Sequence, residues 1–240
     1  SSLLTVIISV LVMLCTAILG KVIYRHREER KAKVFRYGLV NSNALFIGLP
    51  IIQSLLGDAG VLQLSMYMIF VRMFCWSYGL SLYTGVKSDW KGSFKRLLTH
   101  PCMIAAALGV AAMVTGIRLP AFLDRTLQYV SSCLMALSML LIGVVLSEIK
   151  LKEVFRGDVW RFTALRLGVM PGIVFGLCKL CGVPYIVTAT CTLVSGMPAA
   201  SLTAVLAARY HGDSELGALL VAVSTILSAV TIPLWFMILQ

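Results

Sequence analysis

The sequence predicts an all-α, polytopic membrane protein, and three observations lead to this fold class. Of the 240 residues, 59% are hydrophobic and only 13% are charged, and the mean hydropathy is +0.93. The apolar residues form long runs with short polar stretches between them. A soluble domain of this length could not bury so much apolar surface, so lipid is the expected solvent. The net charge of +11 comes from basic residues in the short polar stretches. That distribution is typical of topology signals, and binding to nucleic acid is not expected.

Eight apolar runs have a length close to the ~20 residues that cross a bilayer core. The predicted spans are 2–23, 37–56, 60–85, 98–117, 123–147, 160–181, 184–208 and 216–238. The first run has no basic region before it and no clear cleavage site, so we interpret it as a spanning helix rather than a signal peptide.

Basic residues in alternate loops predict the orientation of the spans. Sixteen of the 21 basic residues lie in four alternate loops: Lys21, Arg25, Arg27, Arg30, Lys31, Lys33 and Arg36; Lys87, Lys91, Lys95 and Arg96; Lys150, Lys152, Arg156 and Arg161; and Arg209. The other loops contain only Arg118 and Arg125. The positive-inside rule therefore places loops one, three, five and seven in the cytoplasm and both termini of the chain outside.

Two predicted spans carry a Gly-x-Pro sequence, Gly48 to Pro50 and Gly196 to Pro198. Each proline lacks an N–H donor, and each glycine permits unusual backbone angles, so a helical discontinuity is expected in both spans. Backbone groups freed at membrane depth must face protein, water or a solute. One such span is most simply a kinked helix whose polar residues bond to the backbone. Two broken spans in corresponding places of the two halves of the chain favour a binding site instead. The N-termini of the half-helices at such a site suit a carboxylate.

The two discontinuous spans run in opposite directions, and each is the middle of three consecutive spans. This order predicts an inverted repeat with three parts: residues 1–85, a scaffold helix pair in 98–147, and residues 160–240. Because the chain begins at Ser1 rather than Met, and a complete repeat would require two more helices, we expect that two N-terminal helices are missing.

Polar residues and flexible backbone at the two breaks form the predicted substrate site. The candidates are Asn41, Asn43, Gly48, Pro50, Ser195, Gly196, Met197, Pro198 and Ser201, with Arg72 near the middle of the third span. Arg72 could attract an anion or be a structural charge bonded to carbonyl groups. Arg166 and Lys179 lie nearer the ends of their predicted span, where we expect them to snorkel toward water.

All ten acidic residues lie in loops or at the edges of spans. Without a carboxylate at mid-membrane, a cationic substrate or a proton relay is disfavoured, and an organic anion is the expected substrate. Cys178 and Cys181 have CxxC spacing but no neighbouring His or acidic residue in the sequence. No catalytic residue, metal or cofactor is predicted, and an enzyme is the least favoured class.

The sequence resembles the auxin efflux carrier family over essentially its whole length. The motifs that carry the resemblance are Asn43-x-x-Phe46-x-Gly48-x-Pro50, Gly196-Met197-Pro198-Ala199-Ala200, Ala207-Ala208-Arg209-Tyr210 and Thr231-Ile232-Pro233-Leu234. The resemblance implies two inverted five-helix repeats in a cell membrane, related to the bile-acid symporter and NhaA architectures. It also implies that two broken helices cross at the substrate carboxylate and that a scaffold forms a homodimer.

These observations favour a permease that carries small organic anions by alternating access, and the family resemblance implies dicarboxylates or hydroxycarboxylates as the substrates. Two alternatives stay open: a sodium-coupled symporter of the bile-acid type, and a membrane receptor that binds an organic anion without carrying it.

Overall fold

The computed structural model describes residues 2–84, 104–105, 108–109, 111–112, 115–116, 119–147 and 155–240. This part of the chain is almost entirely helical, and its only β-structure is one isolated bridge between Ser42 and Ala199. The predicted all-α fold class is confirmed. The predicted span 98–117 lies largely outside the described residues.

Ten α-helices and three π-helical turns follow one another along the described residues. The α-helices are α1 Ser2–Ile23, α2 Glu29–Val40, α3 Leu49–Phe74, α4 Leu80–Thr84, α5 Ala121–Ser147, α6 Gly157–Ala164, α7 Met170–Leu180, α8 Tyr185–Ser195, α9 Leu202–Arg209 and α10 Ser214–Leu239. The π-helical turns are Ala44–Gly48, Cys75–Gly79 and Leu165–Val169.

Four helical runs in the described residues are long and apolar enough to cross a membrane. They are Ser2–Ile23, Ala44–Thr84, Gly157–Leu180 and Ser214–Leu239. The second has 41 residues, about twice the length that a bilayer core requires. It bends at Gly57, whose φ of 62° and ψ of −159° are not helical. The run therefore consists of two helical segments that meet at Gly57, close to the boundary predicted between the spans 37–56 and 60–85.

Helix α1 buries most of its small polar residues and exposes many of its large apolar ones, although Val12 and Met13 are buried. Thr5, Ser9 and Thr16 are fully buried, whereas Leu11 and Ile18 are more than half exposed. Small residues at helix contacts with large apolar residues outside are typical of helices in lipid, where packing replaces the hydrophobic effect between helices. The outer face of α1 therefore suits contact with acyl chains.

Helix α8 lies at the centre of the described bundle, and every residue from Val187 to Ser195 is buried. It packs against α3, α7 and α10. This burial places the end of α8, where the second break begins, deep inside the protein. The three-part division of the chain and its inverted symmetry stay predictions.

Candidate functional site

The first helical discontinuity lies at Asn41 to Asn43, at the N-terminal end of the segment predicted to be broken. Helix α2 ends at Val40, and the π-helical turn begins at Ala44. Gly48 has ordinary helical angles, and Pro50 lies in the first turn of α3. The expectation that Gly48 and Pro50 interrupt the helix is therefore wrong. Both residues lie within the continuous helical run Ala44–Thr84, in which the π-helical turn Ala44–Gly48 precedes Pro50 and accommodates it without a break.

The second discontinuity lies where the sequence predicts it. Helix α8 ends at Ser195, and α9 begins at Leu202. Gly196 packs closely against α7, because a Cβ atom at this position would lie 3.3 Å from the Cβ and Cγ atoms of Pro171.

The two discontinuities pair with each other through their backbones. The N–H of Asn43 donates to the carbonyl of Pro198 at 2.8 Å, and the N–H of Ala200 donates to the carbonyl of Asn41 at 3.1 Å. These bonds form an antiparallel bridge, with Ser42 opposite Ala199. We call this pairing the crossover. It satisfies backbone groups that lipid could not satisfy, and it confirms that the two broken helices meet.

A side chain from α10 completes the backbone pairing of the second break. The N–H of Ala199 donates to Ser224 Oγ at 3.1 Å. The hydroxyl group of Ser224 itself donates to the carbonyl of Leu220 at 2.6 Å. Ser224 therefore ties the crossover to α10.

Arg166 lies inside the crossover, and the expectation that it snorkels toward water is wrong. The residue is only 2% exposed. Its Nε donates to the carbonyl of Met197 at 3.0 Å, and its Nη1 donates to the carbonyl of Leu39. The helical donor for the Leu39 carbonyl would be the N–H of Asn43, which bonds to Pro198 instead. Arg166 thus satisfies a carbonyl that the break leaves without its helical donor.

The charge of Arg166 matches the two helix ends that it contacts. Leu39 lies in the last turn of α2, and Met197 lies two residues beyond the end of α8. Each helix C-terminus carries about half a negative charge, so the two ends together offset one guanidinium. No carboxylate forms an ion pair with Arg166 in the described ranges. The N-termini at Ala44 and Leu202 each add about half a positive charge, which leaves the crossover with a net positive potential.

A proline and a tryptophan hold the turn that carries Arg166. Pro171 has no N–H to donate to the carbonyl of Leu167, four residues earlier in the helix. Instead, Trp235 Nε1 of α10 donates to this carbonyl at 2.8 Å. The N–H of Met170 reaches back five residues to Leu165, which gives the turn its π-helical form. The side chain of Trp235 therefore replaces the backbone donor that Pro171 lacks.

The two asparagines of the first break have different environments. Asn41 donates through Nδ2 to the hydroxyl oxygen of Tyr37 at 2.9 Å. Asn43 is 2% exposed, and neither its Nδ2 nor its Oδ1 has a hydrogen-bond partner among the described residues. It also does not cap the helix that follows it. A buried amide without partners is costly in free energy, so Asn43 is the group here that most needs a ligand.

The other polar and apolar residues at the second break differ in whether their side chains make structural contacts. Ser195 donates to the carbonyl of Thr192 at 2.8 Å, and Met197 packs against Gly48. Both contacts are structural. Ser201 precedes α9 in the N-cap position, but its side chain does not cap that helix. The hydroxyl group of Thr203 is buried and has no hydrogen-bond partner within the described part of the chain.

Arg72 lies in the last turn of α3 and is partly buried. Its guanidinium takes no part in the hydrogen bonds that join the two breaks. Among the residues described, no group of three or more His, Cys, Asp or Glu side chains could hold a metal ion.

Comparison with known proteins assigns the chain to a family. The sequence profile of the membrane transport proteins matches residues 1–93 and 90–236, which is nearly the whole chain. The chain belongs to the membrane transport protein family. The resemblance to the auxin efflux carriers is confirmed, and the protein is a transporter with several membrane-spanning helices.

Two archaeal relatives of this membrane transport protein each carry the name uncharacterized transporter. The relative from Methanocaldococcus jannaschii is 27% identical over 229 residues, which cover 91% of this chain and 71% of the relative. The relative from Methanothermobacter thermautotrophicus is 27% identical over 240 residues, which cover 98% of this chain and 78% of the relative.

Three residues of the crossover were not among the predicted site residues: Arg166, Ser224 and Trp235. One signal was available for Arg166, because Pro171 follows it by five residues in the middle of an apolar run. A proline there indicates a distorted turn whose carbonyl groups need other donors. Ser224 and Trp235 act through contacts distant in sequence, for which the local sequence contains no signal.

Proposed function

We propose that this transporter carries small organic anions by alternating access and that it binds them at the crossover. The observation that carries the proposal is the buried, unpartnered amide of Asn43 beside a helix N-terminus in a region of positive potential. The sign of that potential favours anions, because Arg166 already offsets the two helix C-termini and the two N-termini are left over.

Asn43 would select for the chemistry of the anion. Its Nδ2 can donate to a carboxylate, and its Oδ1 can accept from a hydroxyl or a protonated carboxyl group. A substrate that carries both groups would satisfy both ends of the amide. This favours hydroxycarboxylates and half-protonated dicarboxylates over simple monocarboxylates. Ser201 is placed at the start of the second N-terminus, where its hydroxyl could contact the same anion.

The membrane arrangement that accompanies this proposal is the one indicated by loop charge. The basic loops lie on the cytoplasmic side of the cell membrane, and both ends of the chain lie outside. Movement of the crossover relative to a scaffold, which includes Ala121–Ser147, would expose the anion to each side in turn.

The first experiment is a thermal-shift screen of organic acids on the purified chain, followed by flux assays in liposomes with each acid that stabilises it. An acid present at about 100 times its Kd should stabilise the protein by about 2.7 kcal/mol. Binding without flux would favour the receptor alternative. The proposal would be contradicted if no hydroxycarboxylate or dicarboxylate in the screen stabilises the protein and none is transported across the liposome membrane.

The second experiment compares two identical substitutions in the same break. Asn43→Ala should weaken binding of the acid about ten- to a hundredfold, which corresponds to a hydrogen bond to a charged group of about 1.5–3 kcal/mol. It should leave the ligand-free Tm unchanged or raise it, because it removes a buried polar group that lacks partners.

Asn41→Ala is the matched control. It removes the hydrogen bond to Tyr37 and should lower the ligand-free Tm while the affinity for the acid stays close to that of the wild type. Wild-type affinity and flux in Asn43→Ala would exclude Asn43 from the site.

A further inference from the structure

The crossover contains a pair of backbone carbonyls of the kind that binds cations in other transporters. The carbonyls of Leu39 and Met197 lie at the C-terminal ends of two interrupted helices. Unwound carbonyls and half-helix C-termini at membrane depth are the groups that coordinate Na⁺ or H⁺ in carriers with broken helices. In this chain both carbonyls accept hydrogen bonds from one guanidinium, that of Arg166.

We infer that Arg166 is a built-in cation that takes the place of a coupling ion at the crossover, so that anion binding requires neither Na⁺ nor K⁺. A guanidinium stays protonated in proteins and has five N–H donors in a fixed plane. It can therefore contact both helix ends at once and hold them together in every turnover. A bound alkali ion in addition would bring a second positive charge against the first in a medium of low dielectric constant.

The burial and anchoring of Arg166 support a permanent role. The side chain is 2% exposed, so it has no path of its own to water within the described bundle. Its turn is held by Trp235 and is distorted by Pro171. The absence of a carboxylate partner among the described residues means that the two carbonyl ends, rather than an acidic residue, offset the charge.

The test is the cation dependence of the Tm of the purified chain, measured without any organic acid. Titrations with NaCl, KCl and choline chloride at equal ionic strength should give the same Tm for the wild type. A saturable rise that is specific to Na⁺ or K⁺ would overturn the inference.

Substitution of Arg166 adds a second arm to the test. Arg166→Gln removes the charge and frees carbonyl acceptors, so this variant should gain a rise in Tm with Na⁺ or K⁺. Arg166→Lys keeps the charge and should show no cation response. The control is Arg161→Gln, which changes an exposed arginine in the preceding helix and should behave as the wild type. A folded Arg166→Gln protein without any cation response would also overturn the inference. If that variant fails to fold, the wild-type titration decides alone.

The part of this inference that concerns flux rests on the proposed function. Once an acid is identified, replacing Na⁺ and K⁺ by choline on both sides of the liposome should leave its flux unchanged. Failure to find any acid that binds would contradict the proposed function and would leave the cation titration unaffected.

Discussion

The hydrogen bond from Trp235 to Leu167 permits a sharp test of how the crossover is supported. Trp235→Phe keeps an aromatic ring beside Gly172 and Phe175 but removes the indole N–H. The carbonyl of Leu167 would then have neither the helical donor, which Pro171 lacks, nor the indole. Leaving one buried acceptor unsatisfied costs about 1–3 kcal/mol. For a chain of this size a cost of about 2 kcal/mol lowers the Tm by about 4–8 °C.

Pro171→Ala provides the internal control, because it restores a backbone N–H at the position that normally donates to Leu167. The double-mutant cycle therefore compares Trp235→Phe in the wild type with Trp235→Phe in the Pro171→Ala background. Ring packing is lost equally in both and cancels. We expect Trp235→Phe to cost about 1–3 kcal/mol less in the Pro171→Ala background.

The free energy of unfolding of the wild type, the two single variants and the double variant can be measured by denaturation in detergent. Far-UV circular dichroism is the probe, because its signal does not depend on Trp235. An equal cost of Trp235→Phe in both backgrounds would refute the reasoning, since it would mean that the indole and the missing backbone donor are unrelated. A fall in acid binding that tracks the fall in stability would further indicate that Trp235 acts through the position of Arg166.

Two further substitutions test the backbone at the crossover and at the bend. Ser224→Ala removes the acceptor for the N–H of Ala199 and should destabilise the protein by about 1–3 kcal/mol; an unchanged Tm would mean that this amide has another acceptor. Gly57→Ala should cost about 1–3 kcal/mol, because its φ of 62° with ψ of −159° lies in a region essentially restricted to glycine. The control Gly176→Ala has no atom within 4 Å of the added Cβ and should leave the Tm unchanged or raise it slightly, and equal losses in the two alanine variants would contradict a role for the backbone angle.

Most of the helices could be predicted from hydropathy, because lipid requires continuous apolar runs of nearly fixed length. The predicted and observed bounds of α1, α5 and α10 agree within two residues. The start of α2 at Glu29 could not be found in the same way, since its first turns carry charged residues outside the apolar run. Hydropathy detects the part of a helix that lies in lipid and not the part that extends beyond it.

The position of the first break illustrates what local sequence does not contain. Proline and glycine predict a discontinuity near Gly48 and Pro50, but the π-helical turn before Pro50 keeps the helical run continuous there. The break lies instead where Asn41 and Asn43 pair with Ala200 and Pro198. That position is determined by a partner more than 150 residues away. The second break agrees with its prediction because Pro198 itself lies in the unwound segment.

The depth of Arg166 differs from the prediction for a related reason. Distance from the end of a predicted span is a poor measure of distance from water at this position. The crossover lies near this residue and contains carbonyls that need a donor, so Arg166 is buried although it is near the end of its predicted span. The burial of a residue in a membrane protein depends on how neighbouring helices pack around it as well as on its position along its own helix.

Cross-linking of Ser42 to Ala199 tests the central claim, the pairing of the two breaks, most directly. These residues face each other in a bridge flanked by two hydrogen bonds, the arrangement in which antiparallel Cα atoms lie about 4.5 Å apart. That separation lies within the range of disulfide bonds. In a chain whose seven natural cysteines have been replaced, Ser42→Cys with Ala199→Cys should form an intramolecular disulfide on mild oxidation, as detected by mass spectrometry of the digested protein. Ser42→Cys alone should not. If the double variant folds and both thiols stay free after oxidation, the two helices do not cross at these residues and the account is wrong.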